Sequence, residues 1–406
     1  MRQQMPSIHH RFSDDNMLKL FWKYAVEEKE LEQKPYSSKD VILFRLDLIG
    51  DCIMFSDTLR AICDHYKDGT VTVVCLPKTA PVFQRLNICK VHPINLSTVI
   101  PSAEQLEEII QELRQKEYDV LLQPQEARCP FSDVLAAGVK ANCRIALECM
   151  NNVEPRGGNS LDEWIQMANG IYDEIIPAHH GFESVFDNFG EFARGLGIRN
   201  FKTSRPRLPF GPQHWVEGEY YAIVPGGTAA QKYWPTDRFA KIADHIFEKT
   251  GLRGVIIGVE GEKWIAEKLL RHVKPETAEA LIDLTGKTNT FEMFDLIGNA
   301  KMCVSNDTAG VHVACATNVP CVATVGGWYR GEFLPYHLEN VQPGDHLPRV
   351  AYAEGPCQFC SLKVNYMFEK NPKCLRRFLM GATAVCIDEI PYEQVRDLVD
   401  QCLEEL

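Results

Sequence analysis

Residues 220–241, YYAIVPGGTAAQKYWPTDRFAK, predict a β-strand, a tight loop and a helix in direct succession. Gly226 and Gly227 allow backbone N–H groups to turn toward one point, and Thr228 and Lys232 add a hydroxyl and an ammonium group. These groups together suit a phosphate-binding loop. The spacing matches neither the P-loop nor the dinucleotide-binding motif, and taken alone a Gly-Gly loop after a strand is more often an ordinary strand-to-helix turn.

The composition predicts a soluble protein of more than one domain. A chain of 406 residues exceeds what a single hydrophobic core usually serves, and 45% apolar with 24% charged residues is ordinary for globular proteins. The N-terminal sequence MRQQMPSIHHRFSDD has no apolar core of the kind that a signal peptide needs, so we expect a cytoplasmic protein. The net charge of −12 argues against nucleic acid as a partner.

Strand-like and helix-like stretches alternate along both halves of the chain, which predicts parallel sheets covered by helices. The fold class is therefore α/β with two Rossmann-like domains, and the Gly-, Pro- and Arg-containing residues 194–212 hold the predicted boundary. The first-half strands are predicted at 41–46, 71–75, 120–122 and 144–147; those of the second half are centred on Ala222, Val255, Leu281, Met302 and Cys321.

The N-terminal residues predict a helix with one apolar face, over residues 16–31, that packs on the body of the protein or on a partner subunit. Leu18, Leu20, Phe21, Tyr24 and Ala25 form that face.

Acidic residues follow the predicted strands at several places. Asp51 comes after Gly50 at the end of the first strand, where it is either a helix cap or a catalytic base. Glu262, in GVEGE, suits ribose hydroxyls or a helix dipole. Asp307 and Thr308 begin another helix and suit a phosphate or a sugar, whereas we interpret His312 as a core residue.

Several motifs together resemble glycosyltransferase family 9, the bacterial heptosyltransferases. They are RLDLIGD, PGGTAAQKYWP, GVEGE, the SNDTAGVHVACA run with the residues before it, and GGWYRGEFLPY. The resemblance covers about residues 40 to 400. It implies a GT-B fold, an ADP-heptose donor bound by the C-terminal half, and metal-independent transfer with inversion.

The resemblance also implies roles for individual residues. Asp51 corresponds to the general base on the acceptor hydroxyl, and Glu262 to the ribose carboxylate. The remaining donor contacts correspond to Gly226, Gly227, Thr228, Lys232, Asp307, Thr308 and Gly310. Two positions depart from the family pattern. Asp47 replaces the usual Ser or Thr, which could raise the pKa of the base or alter the choice of acceptor. Ala309 and Gly310 replace a Gly-Pro or Gly-Leu pair.

Four of the fifteen cysteines lie near the C-terminus as Cys357, Cys360, Cys374 and Cys386. A C-x-x-C pair with two more thiols suits a tetrahedral structural site. The arrangement is similar to the iron-binding finger of autotransporter heptosyltransferases. The site could hold iron, zinc or no metal, and we expect no cofactor for catalysis itself.

We therefore predict an N-terminal helical extension (1–38), an acceptor domain (39–205), a nucleotide-sugar donor domain (206–390) that includes the cysteine finger (357–386), and a C-terminal helix (391–406). The predicted enzyme transfers heptose from an ADP-sugar to a lipopolysaccharide-type saccharide or glycolipid. Transfer to a protein hydroxyl, nucleotide-sugar epimerisation and nucleotide-sugar binding without catalysis remain alternatives. A homo-oligomer and peripheral contact with the inner membrane are further expectations.

Overall fold

The computed structural model describes residues 15–30, 40–96, 101–149, 160–179, 184–229, 232–327, 331–354 and 385–406. The chain forms two compact units. The first contains the described parts of Met1–Leu48, Thr58–Gly181 and Asp187–Phe201. The second contains Ile49–Asp57, the described part of Phe182–Phe186, and that of Lys202–Leu406.

The first unit is built on a parallel sheet whose described strands have the order β3-β2-β1-β4-β5-β6. The strands are β1 (Val41–Arg45), β2 (Val71–Cys75), β3 (Lys90–Pro93), β4 (Tyr118–Gln123), β5 (Ala141–Leu147) and β6 (Glu174–Ile176). The α-helices between residues 15 and 201 are α1 (Asp15–Glu30), α2 (Ile49–Met54), α3 (Ser56–His65), α4 (Ala80–Leu86), α5 (Ala103–Leu113), α6 (Pro130–Gly138), α7 (Ser160–Ala168) and α8 (Val185–Gly195). Of these, α2 belongs to the second unit.

The second unit has a parallel sheet of the same topology, with the order β12-β11-β10-β7-β8-β9. Its strands are β7 (Tyr220–Val224), β8 (Arg253–Ile256), β9 (Leu281–Asp283), β10 (Cys303–Asn306), β11 (Cys321–Thr324) and β12 (Arg349–Ala351). Its further helices are α9 (Thr236–Thr250), α10 (Lys263–Leu270), α11 (Pro275–Ala280), α12 (Thr290–Gly298), α13 (Ala309–Ala316), α14 (Val385–Asp388) and α15 (Tyr392–Leu403).

The two strand orders confirm the predicted α/β fold with two Rossmann-like sheets. Every residue of β1, β2 and β7 is buried, as expected for strands covered by helices on both faces. In each sheet the strand order reverses next to the first strand, between β1 and β4 and between β7 and β10. Ligands of such sheets bind outside the carboxyl ends of the strands at this reversal. The loops after β7 and β10 are therefore the first place to look for a site.

The chain passes between the units more often than a single boundary near residue 205 allows. Residues 49–57 and 184–186 belong to the second unit, although the sequence on both sides of each segment belongs to the first. The linear division predicted from the sequence thus remains a proposal. No helix in the described ranges is both long and apolar enough to cross a membrane.

Three described strands were missed by the sequence analysis: β3, β6 and β12. All are three or four residues long, and their residues are mostly half-exposed or exposed. Such strands lack both the continuous apolar run and the strict alternation on which the prediction depends.

The helix α1 packs into the core of the first unit. Phe21 and Tyr24 are buried there, and the Tyr24 hydroxyl donates a 2.6 Å hydrogen bond to Glu107 on α5. The predicted apolar face is correct for Leu20, Phe21, Tyr24 and Ala25 but wrong for Leu18, which is 39% exposed. Leu18 lies outside the arc of α1 that packs against α5 and α6.

Replacing Phe21 by Ala should destabilise the first unit by about 3–5 kcal/mol, because a fully buried ring leaves a cavity. The neighbouring Trp22 is 47% exposed, so Trp22→Ala should cost less than roughly 1 kcal/mol. Urea unfolding followed by circular dichroism measures both. Equal losses in the two variants would show that α1 is a loosely attached extension.

Candidate functional site

Asn306, the last residue of β10, joins three strand ends in the second unit. Its buried side-chain amide Nδ2 donates to the carbonyl oxygens of Pro225 (2.6 Å) and Gly226 (3.2 Å). Its Oδ1 accepts hydrogen bonds from the backbone N–H of Trp234 (3.1 Å) and from the Thr324 hydroxyl (2.8 Å). No role for Asn306 was predicted from the sequence. The signal that could have indicated one is a polar residue at the end of an otherwise mostly apolar strand.

The glycines of the quoted stretch are required by close approach of neighbouring side chains. A Cβ atom on Gly226 would lie 2.3–2.5 Å from the carboxyl group of Glu262. On Gly227 it would lie 2.7 Å from the Cγ2 atom of Thr308. A larger residue at Gly226 would therefore displace the Glu262 carboxyl group, and one at Gly227 would press on the Thr308 side chain.

Glu262 ties two of these loops together through backbone groups. Its Oε1 accepts from the N–H of Gly227 at 2.6 Å, and its Oε2 accepts from the N–H of Val259 at 2.9 Å. The predicted ribose carboxylate thus also holds the glycine loop in place. Each of its oxygens can accept a second hydrogen bond, so the two roles are compatible.

Lys232 and Asp307, predicted as separate phosphate and sugar contacts, form an ion pair. The Lys232 Nζ lies 3.0 Å from Asp307 Oδ2 and donates to the Asp307 carbonyl oxygen at 3.0 Å. Both side chains are largely buried. The cation is thereby held at a fixed position beside the glycine loop instead of moving freely in solvent.

Thr308 caps α13, and α13 approaches β7 closely. The Thr308 hydroxyl accepts from the N–H of Gly310 at 3.4 Å and lies 3.3 Å from the hydroxyl of Ser305. A Cβ atom on Gly310 would lie 2.7 Å from a Val224 methyl group. The replacement of the usual family pair at 309 and 310 thus still leaves the glycine that this packing needs. Thr228, the other predicted hydroxyl contact, lies exposed on the loop after β7.

His312 lies on the buried side of the same helix and contacts the turn that contains Asp51. A Cβ atom on Gly50 would lie 2.7 Å from His312 Cδ2, so α2 and α13 pack in direct contact. Tyr336 lies beside both, with its hydroxyl 2.7 Å from His312 Nδ1. Burial chiefly raises the pKa of Tyr336, with smaller contributions from nearby charges that include Asp307 and Asp51. The second unit therefore brings Asp51, Asp307 and His312 to one region.

His312 is a neutral imidazole at pH 7. Burial lowers its pKa to about 4, and the Lys232 ammonium also lowers it, whereas Asp307 acts in the opposite direction. The interpretation of His312 as a core residue agrees with this burial.

Asp47, the unusual carboxylate near Asp51 in sequence, has partners within the first unit. Its Oδ2 lies 2.9 Å from Arg45 Nε, and its Oδ1 accepts from the Gln125 amide at 2.7 Å. The charge of Asp47 is thus largely balanced by Arg45. An effect of Asp47 on the pKa of Asp51 remains a prediction.

Three of the predicted metal ligands, Cys357, Cys360 and Cys374, lie outside the described residues. The fourth, Cys386, is buried in the hydrophobic core of the second unit together with Ile387 and Val395. Among the residues that the structure describes, no group of three or more His, Cys, Asp or Glu side chains could hold a metal ion. The metal site remains a prediction from the sequence.

A family model for glycosyltransferase family 9 (heptosyltransferase) matches residues 106–344, which include the loops after β7 and β10. The chain belongs to glycosyltransferase family 9. This membership confirms the resemblance found in the sequence.

Curated relatives and solved structures agree with the family. The chain is 33% identical to lipooligosaccharide heptosyltransferase 2 of Haemophilus influenzae over 95 residues, 23% of this chain and 27% of that protein. It is 22% identical to the lipopolysaccharide core heptosyltransferase OpsX of the same organism over 315 residues, 75% of this chain and 84% of OpsX. The first of these matches thus spans only about a quarter of the relative's length.

The structure of Escherichia coli ADP-heptose lps heptosyltransferase II aligns with a TM-score of 0.63 at 17% identity, covering 90% of this chain and 99% of that one. At this identity the likeness shows the fold, and it confirms the predicted GT-B architecture.

The buried neutral His312 should make the family 9 protein less stable in acid. The unfolded chain takes up a proton near pH 6.5, whereas the folded protein does so only near pH 4. His312 therefore makes its full contribution to the free energy of unfolding above pH 6.5. This contribution is lost as the pH falls toward 4, by on the order of 3 kcal/mol. His312→Gln should show a correspondingly smaller loss between pH 7 and 4 in urea unfolding. His272→Gln, at an exposed position, is the control and should lose as much as wild type.

Proposed function

We propose that the protein is an inverting heptosyltransferase that uses ADP-heptose as donor. Family membership supports glycosyl transfer, and the observation that carries the donor assignment is the convergence of three strand ends on one ion pair. Glu262 contributes a carboxylate that the Gly227 N–H holds beside the glycine loop, while Lys232 and Asp307 contribute an ammonium group and a second carboxylate. This set offers contacts of both signs, as a sugar linked to a diphosphate requires.

The charges of the site assign a part of the donor to each loop. The Lys232 ammonium suits the diphosphate, since a fixed cation stabilises negative charge as the nucleotide departs, whereas the Gly227 N–H already donates to Glu262. Thr228 is exposed beside them and adds a hydroxyl. Glu262 accepts from the ribose hydroxyls through its remaining lone pairs. Asp307, held by Lys232, accepts from the hydroxyls of the sugar.

Asp51 is the proposed base. In an inverting transfer the acceptor oxygen attacks the anomeric carbon of the heptose while the bond from that carbon to the diphosphate breaks. The proton of the acceptor hydroxyl passes to the Asp51 carboxylate, and ADP leaves with the bonding electron pair. The position of Asp51 beside His312 and Tyr336, on the unit that also contains the glycine loop, supports this role.

The proposed acceptor is a saccharide of the lipopolysaccharide type, in keeping with the named activities of the curated relatives. The acceptor would approach in the cytoplasm, at the inner face of the membrane where such a glycolipid is presented. A protein hydroxyl is the competing acceptor that the cysteine motif suggests. A structural iron or zinc at that motif and a homo-oligomeric assembly belong to the same proposal.

Gly226→Ala should weaken ADP binding at least about tenfold, because the added methyl group displaces Glu262 and opens the glycine loop. Gly261→Ala is the matched control: it lies next to Glu262 in sequence, yet its Cβ would meet no atom within 4 Å. Isothermal titration calorimetry with ADP measures both. If both variants bind ADP as wild type does, the nucleotide lies elsewhere.

Asp51→Asn should lower kcat roughly 100-fold or more while ADP-heptose still binds, since the amide cannot take the proton. Asp237→Asn, in the first turn of α9, is the control for loss of a helix-terminal carboxylate. The assay is ADP release from ADP-heptose with and without a lipopolysaccharide-precursor acceptor. Release of ADP that does not depend on an acceptor would favour hydrolysis, conversion of ADP-heptose to an isomer without release of ADP would favour epimerisation, and full activity of Asp51→Asn would remove Asp51 from the mechanism.

A further inference from the structure

Tyr336 and His312 form a buried hydrogen-bonded pair that the assigned roles do not use. The Tyr336 hydroxyl lies 2.7 Å from His312 Nδ1, and both side chains are buried. Phe186 packs on the Tyr336 ring with the two ring centroids 4.6 Å apart. The tyrosine is thus held against the imidazole, and its hydroxyl has little freedom to leave.

The other ring nitrogen of His312 faces the groups proposed for chemistry. His312 Nε2 lies 4.0 Å from Asp307 Oδ1, and the second oxygen of that carboxylate is bound by Lys232. A Cβ atom on Gly50 would lie 3.3 Å from the same nitrogen, so Nε2 also borders the turn that bears Asp51. One edge of the imidazole therefore faces Tyr336, and the other faces Asp307 and the first turn of α2, which contains Asp51.

These contacts select one tautomer of the imidazole. A neutral imidazole carries a single N–H, and an ionised carboxylate is an acceptor only. With the proton on Nε2, the N–H points toward Asp307 while Nδ1 accepts from the Tyr336 hydroxyl. With the proton on Nδ1, a lone pair would face the carboxylate, which is repulsive.

We propose that Tyr336 is a positioning residue whose hydroxyl donates to His312 Nδ1 and so holds the imidazole as an Nε2–H donor toward the sugar oxygens between Asp51 and Asp307. This inference rests on the proposed function for the identity of the ligand. Burial supports it from both sides, since it keeps His312 neutral and raises the pKa of Tyr336, which keeps the hydroxyl protonated. The imidazole then donates a hydrogen bond without carrying a charge that would oppose Lys232.

The tautomer is measured first, in the protein without ligand. Long-range proton–nitrogen NMR spectra of protein labelled with ¹⁵N-histidine distinguish a protonated from an unprotonated ring nitrogen. The signals of His312 are assigned among the twelve histidines by their loss in His312→Gln. Wild type should show Nε2–H only, with an Nδ1 resonance typical of a nitrogen that accepts a hydrogen bond. Because Asp307 still disfavours a lone pair on Nε2, Tyr336→Phe should keep Nε2–H, but its Nδ1 resonance should move to that of a nitrogen without a hydrogen bond. An Nδ1–H tautomer in wild type, or an unchanged Nδ1 resonance in Tyr336→Phe, overturns the proposal.

The consequence for catalysis is measured by steady-state kinetics of heptose transfer. Tyr336→Phe should lower kcat about tenfold, a partial loss of one transition-state donor, with little change in the KM for the nucleotide sugar. In the His312→Gln background, where the side-chain amide supplies an N–H without the tyrosine, Tyr336→Phe should have no further effect. An equal loss in both backgrounds would show a merely structural role and overturn the proposal.

Tyr220→Phe is the matched control, because the Tyr220 hydroxyl is also buried and donates a 2.6 Å hydrogen bond to the Leu296 carbonyl oxygen. It should lose a comparable amount of stability, keep the His312 tautomer and keep kcat. If wild type transfers no heptose at all, the proposed function fails, and the NMR measurement alone then decides the role of Tyr336. The two failures are thus distinguishable.

Discussion

The side chain of Asn306 is the constraint on which the rest of the site depends. Its amide bridges the ends of β7, β10 and β11 and binds Trp234, two residues before the helix α9. A typical hydrogen bond adds only about 1 kcal/mol net, but a buried group left without its partner costs roughly 1–3 kcal/mol. Removing this amide would leave several buried backbone groups without their hydrogen-bond partner at once. The glycine loop therefore has one well-defined position relative to Asp307 and Thr308.

The charges of the site are paired before any ligand binds. Lys232 is held by Asp307, and Glu262 is held by two backbone N–H groups. Such pairing costs part of the attraction between Lys232 and a diphosphate, because the ammonium already has a carboxylate partner. In return the cation needs little reorganisation when negative charge develops on the leaving nucleotide, which is the condition for electrostatic catalysis. The neutral His312 fits the same scheme, since it supplies a donor without a further charge.

The sequence was sufficient for the fold, and several residues it proposed for the site lie near one another in the second unit, but the contacts between them could not be predicted. Strong apolar strands such as Val71–Cys75 and the strand-ending glycines were predicted because their signals are local. The Asn306 bridge and the pairing of Tyr336 with His312 join residues that are 18 to 81 positions apart, and no periodic pattern records them. The packing of Gly50 against His312 was equally invisible, because it depends on where α2 docks. Short, half-exposed strands such as Lys90–Pro93 failed for the opposite reason, since their own signal is weak.

Hydrogen–deuterium exchange with and without ADP tests the central claim most directly, namely that the strand ends of the second unit bind the nucleotide. We predict slower exchange at residues 226–228, at 259–262 and at 306–310 when ADP is bound, with little change at the ends of β1 and β4. Protection confined to the first unit, or none in the glycine loop at saturating ADP, would contradict the account.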